Sequence, residues 1–173
     1  SVGRYYMNHS TSGLMGMLPG AVNSTRFTKA LALNDFYDGT PAHPAPLGHI
    51  QMLGNIQEPM VRSAMPRLPR WAGRMLTRHS VDWLAMSEDL PHRDSTVRPL
   101  ADGGAQLHWQ RTNMATHATL VARTKALLRS LGFAAVLSRP FGIDTPSHQC
   151  GTVRMGHDPA QAALDPWCRA YDH

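Results

Sequence analysis

The chain has no apolar run approaching the roughly 20 residues that a membrane-spanning helix needs, so nothing in its 173 residues reads as a membrane span. It has two cysteines, Cys150 and Cys168, and no Cys-x-x-Cys spacing. That is too few for a disulfide framework, and it leaves a cytoplasmic and a periplasmic setting equally open. The formal charge is +5, but the lysines and arginines are scattered and form no dense block. That weighs against a nucleic-acid-binding face. The first residues, SVGRYYMNH, lack an initiator methionine and lack the charged, apolar and small-residue regions of a signal peptide. The expectation is a chain cut out of a longer one.

The motifs of several enzyme classes are missing as well. There is no His-Glu-x-x-His and no paired Cys/His spacing, so no metal site is expected despite 10 histidines. There is no Gly-x-Ser-x-Gly nucleophile elbow. Neither Gly-x-Gly-x-x-Gly nor Gly-x-x-x-x-Gly-Lys-Ser/Thr occurs, so the glycine-rich turn that sets a nucleotide's phosphates on a helix N-terminus is not in this chain. No internal repeat is visible.

What is there reads as one domain's worth of chain, able to bury a sizeable core with 42% hydrophobic residues. SGLMGMLPG (12–20) is small and apolar and predicts a strand ending at Pro19-Gly20. The stretch 39–48, GTPAHPAPLG, is dense in proline and glycine and predicts an irregular loop. HIQMLG (49–54) alternates and predicts a strand, and so does the part of HSVDWLAMSEDLP (79–91) carrying Val81, Trp83 and Ala85. Between them, EPMVRSAMPRLPRW (58–71) is interrupted by Pro59, Pro66 and Pro69 and cannot be one regular helix. STVRPL, DGGA and QLHWQ predict a hairpin, with Asp102-Gly103-Gly104 supplying positive φ angles at its turn.

One strong helix follows. Thr112 or Asn113 stands where a cap belongs, Leu120, Thr124, Leu127, Leu128 and Leu131 recur at helical spacing, and Gly132 takes the place of a C′ glycine. Arg129 near its end suits the helix dipole. FAAVLS predicts a short strand, and the tail from 138 on reads as loop. Several strands with few helices between them predict an α+β fold, an antiparallel sheet with helices packed on one face.

The chemistry concentrates in SHQCGTVRMG, Ser147 to Gly156. A neutral imidazole accepts a proton near physiological pH, which makes His148 a candidate base. Gly151 lets backbone come close to a flat ligand. Thr152 adds a hydroxyl, and Arg154 adds a permanent positive charge. On the residues alone, a surface loop explains the same stretch.

The run SHQCGTVRMGHDPAQAALDPWCRAYDH resembles the C-terminal signature of the glucose-methanol-choline (GMC) flavin oxidoreductases, most nearly their bacterial branch that oxidises sugars and other alcohols. The family pattern is a histidine, two residues, Gly-Thr, a variable residue, arginine, an aromatic residue or methionine, and glycine. His148, Gly151, Thr152, Arg154, Met155 and Gly156 fit it. VGRYYMNH, TKALALNDFYDG, PLGHIQMLG and VDWLAMSEDLP agree in the family's order, and the stretch between 55 and 80 matches poorly.

The resemblance implies an FAD-dependent oxidation of a CH–OH group in a sugar or another alcohol, with His148 as catalytic base and hydride passing to the flavin. It implies flavin contacts at Gly151 and Thr152 and substrate contacts at Gln51 and Glu88. It also implies an FAD-binding part that this chain lacks, so FAD would be held through the rest of the protein. The family's second catalytic His or Asn has no counterpart here, and His173 does not fall at its position. The expected organisation is a remnant of the link from the FAD-binding domain in 1–10, a substrate-binding domain in 11–146, and the truncated start of a flavin-contacting segment in 147–173. The alternative is a stand-alone or vestigial binding domain without redox activity.

Overall fold

The computed structural model describes residues 2–171, so His173 lies outside the described residues. The chain divides into two compact units. One comprises Thr11–Ser87 and Ala115–Gly142, and the other Ser1–Ser10, Glu88–Met114 and Ile143–His173.

The first unit is built on a sheet of five strands: β1 (Ser10–Met17), β2 (Ala32–Leu33), β3 (His49–Gly54), β4 (Ser80–Ser87) and β7 (Ala135–Pro140). Their order is β2-β3-β4-β1-β7. The β2–β3, β3–β4 and β1–β7 pairs are antiparallel, with Ile50 opposite Ala85 and Leu14 opposite Ser138. Helix α3 (Met114–Ser130) supplies Leu120 and Leu128, which close a core over Leu14, Ile50, Trp83, Ala85 and Val136. Each fully buried leucine or isoleucine contributes roughly 1.5–3 kcal/mol through the apolar surface it removes from water. The fold is α+β with an antiparallel sheet, as the strand-rich pattern predicts.

A buried polar chain fixes α3 on this core. Ser87 Oγ donates to the Leu47 carbonyl at 2.7 Å, so toward His117 it serves as the acceptor, and His117 Nδ1 donates to it at 3.1 Å. That tautomer leaves Nε2 to accept from the Ser12 hydroxyl at 2.8 Å. Each partner is thereby used in a place where an unmade hydrogen bond would cost about 1–3 kcal/mol. The helix ends as its sequence predicts. Gly132 takes φ 93°, its N–H reaches the Arg129 carbonyl, and the Phe133 N–H reaches that of Leu128. These two bonds make a Schellman motif. At the other end, Thr112 and Asn113 direct their hydrogen bonds to the segment Glu88–Leu90.

The stretch that its prolines bar from being one regular helix forms two short ones. Helix α1 (Glu58–Ala64) carries Pro59 in its first turn, and α2 (Arg70–Arg78) has Pro69 as its N-cap. Proline costs nothing at a helix start, because the N–H it lacks has no partner there in any case. Pro66 falls in the connection between the two helices, which ends at the N-cap Pro69. The segment is therefore two short helices, and the sequence pattern excluded only a single long one.

The second unit has the predicted hairpin, β5 (Thr96–Pro99) with β6 (Ala105–His108), paired from Thr96↔His108 to Pro99↔Ala105. Of the three turn residues only Gly103 adopts a positive φ, 84°. The N-terminal residues run as a strap between this hairpin and the 147–152 segment. On one side Val97 N–H donates to the Gly3 carbonyl and Tyr6 N–H to that of Ser95. On the other, Gly3 N–H donates to Thr152, and Met7 and Cys150 exchange both backbone bonds at 2.9 and 3.0 Å. Among the described residues no helix is long and apolar enough to cross a membrane.

Two predictions follow from these contacts. Asp82 is 0% exposed and receives the Ile56 N–H at 2.7 Å. Burial pushes its carboxyl up to about 6, the backbone bond only partly opposing this. A raised acid binds its proton more tightly in the folded state, so its contribution is present below pH 4 and lost as pH rises through 6. Asp82→Asn keeps the acceptor and removes the charge. It is expected to stabilise the protein at pH 7 by on the order of 1–3 kcal/mol and to change little at pH 4, read from urea unfolding at both pH values; equal effects at the two pH values would refute this. At Gly151, φ is 95° and a Cβ would lie 2.0 Å from the Tyr5 carbonyl oxygen. Gly151→Ala is expected to cost about 2 kcal/mol or more and to raise amide exchange in residues 3–9, since backbone cannot yield as a flexible side chain does.

Candidate functional site

The stretch predicted to carry the chemistry lies in the strap unit. His148 sits at φ 56°, a left-handed conformation in which histidine is one of the few enriched non-glycine residues. Its side chain is exposed. The backbone on either side of it is tied down. Ser147 N–H donates to Asn8 Oδ1 at 2.8 Å, His9 N–H donates to the Ser147 carbonyl at 3.3 Å, and Cys150 is paired with Met7. Only His148 and Gln149 project from between these anchors, so the imidazole stands on a short, doubly anchored loop.

The strap brings a second histidine to it. The rings of His9 and His148 lie 4.9 Å apart at 89°, edge against face. Burial lowers the pKa of His9 from the ordinary histidine value, and the charge of His148 lowers it further, while Glu88 and Asp89 act in the opposite sense.

Asp89 is the hub beneath. It is buried, and it accepts from Trp109 Nε1 at 2.7 Å, from the N–H groups of Asn8, Leu90 and Thr112, and from the Thr112 hydroxyl. A carboxylate so engaged has its lone pairs committed to holding residues 8, 90, 109 and 112 together. Tyr6 packs edge-on against Trp109 beside it, with ring centroids 6.2 Å apart.

The other sequence-predicted residues are distributed as follows. Gly151 and Thr152 belong to the loop that carries His148. The space Gly151 leaves free is taken up by the Tyr5 carbonyl, which explains the glycine from within the fold. Thr152 is half-buried, and its carbonyl accepts from Gly3. Arg154 lays its guanidinium over the Tyr5 ring at 3.9 Å and donates to the Gln161 carbonyl at 2.9 Å, so its charge is spent on packing the tail against the strap. Glu88 is an exposed residue of the same unit, and its carbonyl accepts from Asn113. Gln51 is half-buried in the middle of β3, opposite Leu84, and belongs to the sheet unit. Both cysteines are free and exposed.

His9, Asn8 and Asp89 are what sequence reasoning missed. The dipeptide Asn8-His9 ends the stretch VGRYYMNH, and Asp89 lies in VDWLAMSEDLP. Both stretches carried the resemblance as strings, but nothing in their spacing says that Asp89 receives the Asn8 N–H or that His9 meets His148.

A search of curated proteins returns no match. The family model described as GMC oxidoreductase, for the C-terminal part of those enzymes, matches residues 57–173. The matched span takes in the poorly resembling segment before residue 80 as well as the His148 loop, and it covers more than half of the chain. This chain belongs to the GMC oxidoreductase family.

Proposed function

We propose that this chain is the substrate-domain portion of an FAD-dependent enzyme that oxidises a CH–OH group of a sugar or another alcohol, with His148 as the base. The observation that carries the reading is an exposed imidazole on a loop anchored on both sides, within the motif that the family match includes. In this reading residues 1–10 are the link from a flavin-binding part, 11–146 form the substrate wall with Gln51 and Glu88 as contacts, and 147–173 begin the flavin-facing segment.

The residues present fit only one end of the cofactor. The strand pairs β2–β3, β3–β4, β1–β7 and β5–β6 are antiparallel, and no glycine-rich turn opens a helix onto a pyrophosphate. The adenine and phosphate end therefore has no holder of that kind in this chain. In this reading the reacting-ring end lies beside the exposed His148, with Thr152 and the backbone of Gly151, whose Cβ side the Tyr5 carbonyl fills, as its contacts. When bound, FAD supplies the acceptor for the hydride.

The chain's own residues do the rest. The His148 imidazole accepts the hydroxyl proton of the substrate at a ring nitrogen, acting as general base. The backbone anchors at Ser147 and Cys150 keep that ring from drifting. Such anchoring matters because a reacting group displaced by about 1 Å forfeits on the order of 10²-fold in rate.

The chain by itself is expected to bind FAD weakly or not at all. Titration followed by flavin fluorescence checks this, and stoichiometric binding with a dissociation constant below about 1 µM would contradict the division of labour described above. In the complete, flavin-loaded enzyme, His148→Ala is expected to lower kcat on the order of 10²–10⁴-fold, with a far smaller effect on substrate affinity. The acid limb of the pH–rate profile should vanish with the imidazole, because a protonated base is idle. His157→Ala, at an exposed position outside the motif's matched residues, serves as the control. Flavin content is measured first, and a His148→Ala enzyme that holds flavin and turns over at the parent rate rules out the assignment.

A further inference from the structure

We propose that His9 is a positioning residue for His148: the two imidazoles form one coupled pair, edge against face, in which His9 stays neutral so that His148 alone takes up and releases a proton. The proposal rests on His148 being the base.

The geometry carries it. The rings lie 4.9 Å apart and nearly perpendicular. Their backbones are joined by the His9 N–H bond to the Ser147 carbonyl and by the Asn8 side chain, which receives the Ser147 N–H. The partners are thus locked together by the same strap-to-loop pairing that anchors residue 150. At that distance two positive charges repel, so charge on His148 disfavours charge on His9. A neutral His9 adds no positive charge beside the imidazolium that forms on His148 as the alcohol loses its proton, whereas a charged His9 4.9 Å away would oppose it.

The surroundings assign the neutral partner. His9 is half-buried and His148 is exposed, and desolvation penalises charge on the buried ring first. Among the described residues, the charged groups acting on His9 include His148, which opposes its protonation, and Glu88 and Asp89, which favour it. Burial and His148 prevail, and Asp89 has its oxygens engaged by five donors.

The test begins on the chain itself, with both imidazoles followed by NMR through pH. In the parent, the His9 midpoint lies below the ordinary histidine value. In His148→Asn, a substitution that asparagine's tolerance of positive φ allows, the His9 midpoint moves up. An unmoved midpoint in a folded His148→Asn chain overturns the coupling without touching the base assignment, which is judged separately by His148→Ala turnover. The second measurement is His9→Gln in the flavin-loaded enzyme. It is expected to lower kcat on the order of 10-fold with little change in KM, and to shift the acid limb of the pH–rate profile. Unchanged kcat and an unchanged pH profile, in an enzyme whose His148→Ala form is inactive, overturn the positioning role.

Discussion

The site rests on a contact with no slack. A Cβ on Gly151 would lie 2.0 Å from the Tyr5 carbonyl oxygen, so the strap and the 147–152 segment approach as closely as two backbones can. Around that contact run the bonds Gly3 to Thr152, Met7 to Cys150 and back, and His9 to Ser147. Tyr5 itself adopts φ 62°, an uncommon conformation for a bulky residue. It is held there with its ring under the Arg154 guanidinium. Loosening the backbone contact would free the strap, and with it the histidine that the strap brings to His148.

The polar hub at Asp89 gives the strap its second support. A buried carboxylate is costly unless its oxygens are engaged, and this one gathers donors from residues 8, 90, 109 and 112. Its neighbour Glu88 faces solvent. Two adjacent acids thus do different work: one is satisfied internally and holds loops together, and the other is exposed. The sheet unit solves a similar problem with neutral groups, through the Ser12–His117–Ser87 chain. There the direction of each proton follows from the single fact that Ser87 must donate to a carbonyl.

Much of the architecture was legible because it depends on local pattern. β3 occupies the same residues as the alternation in HIQMLG, and β4 lies within HSVDWLAMSEDLP. The hairpin forms at 96–108, and α3 stops at Gly132 by the mechanism a C′ glycine provides. The prolines of 58–71 ruled out one regular helix, as found, but not two short ones, since their effect depends on position: at the first turn they are accommodated, and in the interior they end a helix. Leu131 keeps helical spacing yet is 62% exposed, because at the helix end the apolar stripe has run past the sheet it covers.

The sequence by itself determined the strands other than the two-residue β2 and the last residues of β7, the long helix and its stop, and the motif that places His148, Gly151 and Thr152 on one loop. These follow from side-chain period, turn chemistry and residue order, which are local properties. Only the tertiary structure decided that His9 meets His148, across 139 positions of chain, and that Gly151 is demanded by Tyr5. It also decided that Arg154 packs on an aromatic ring instead of offering a free charge. Such pairings depend on which backbone segments lie side by side. That is settled by the hydrogen bonds of a strap joining the two ends of the sequence, and no window of neighbouring residues contains it.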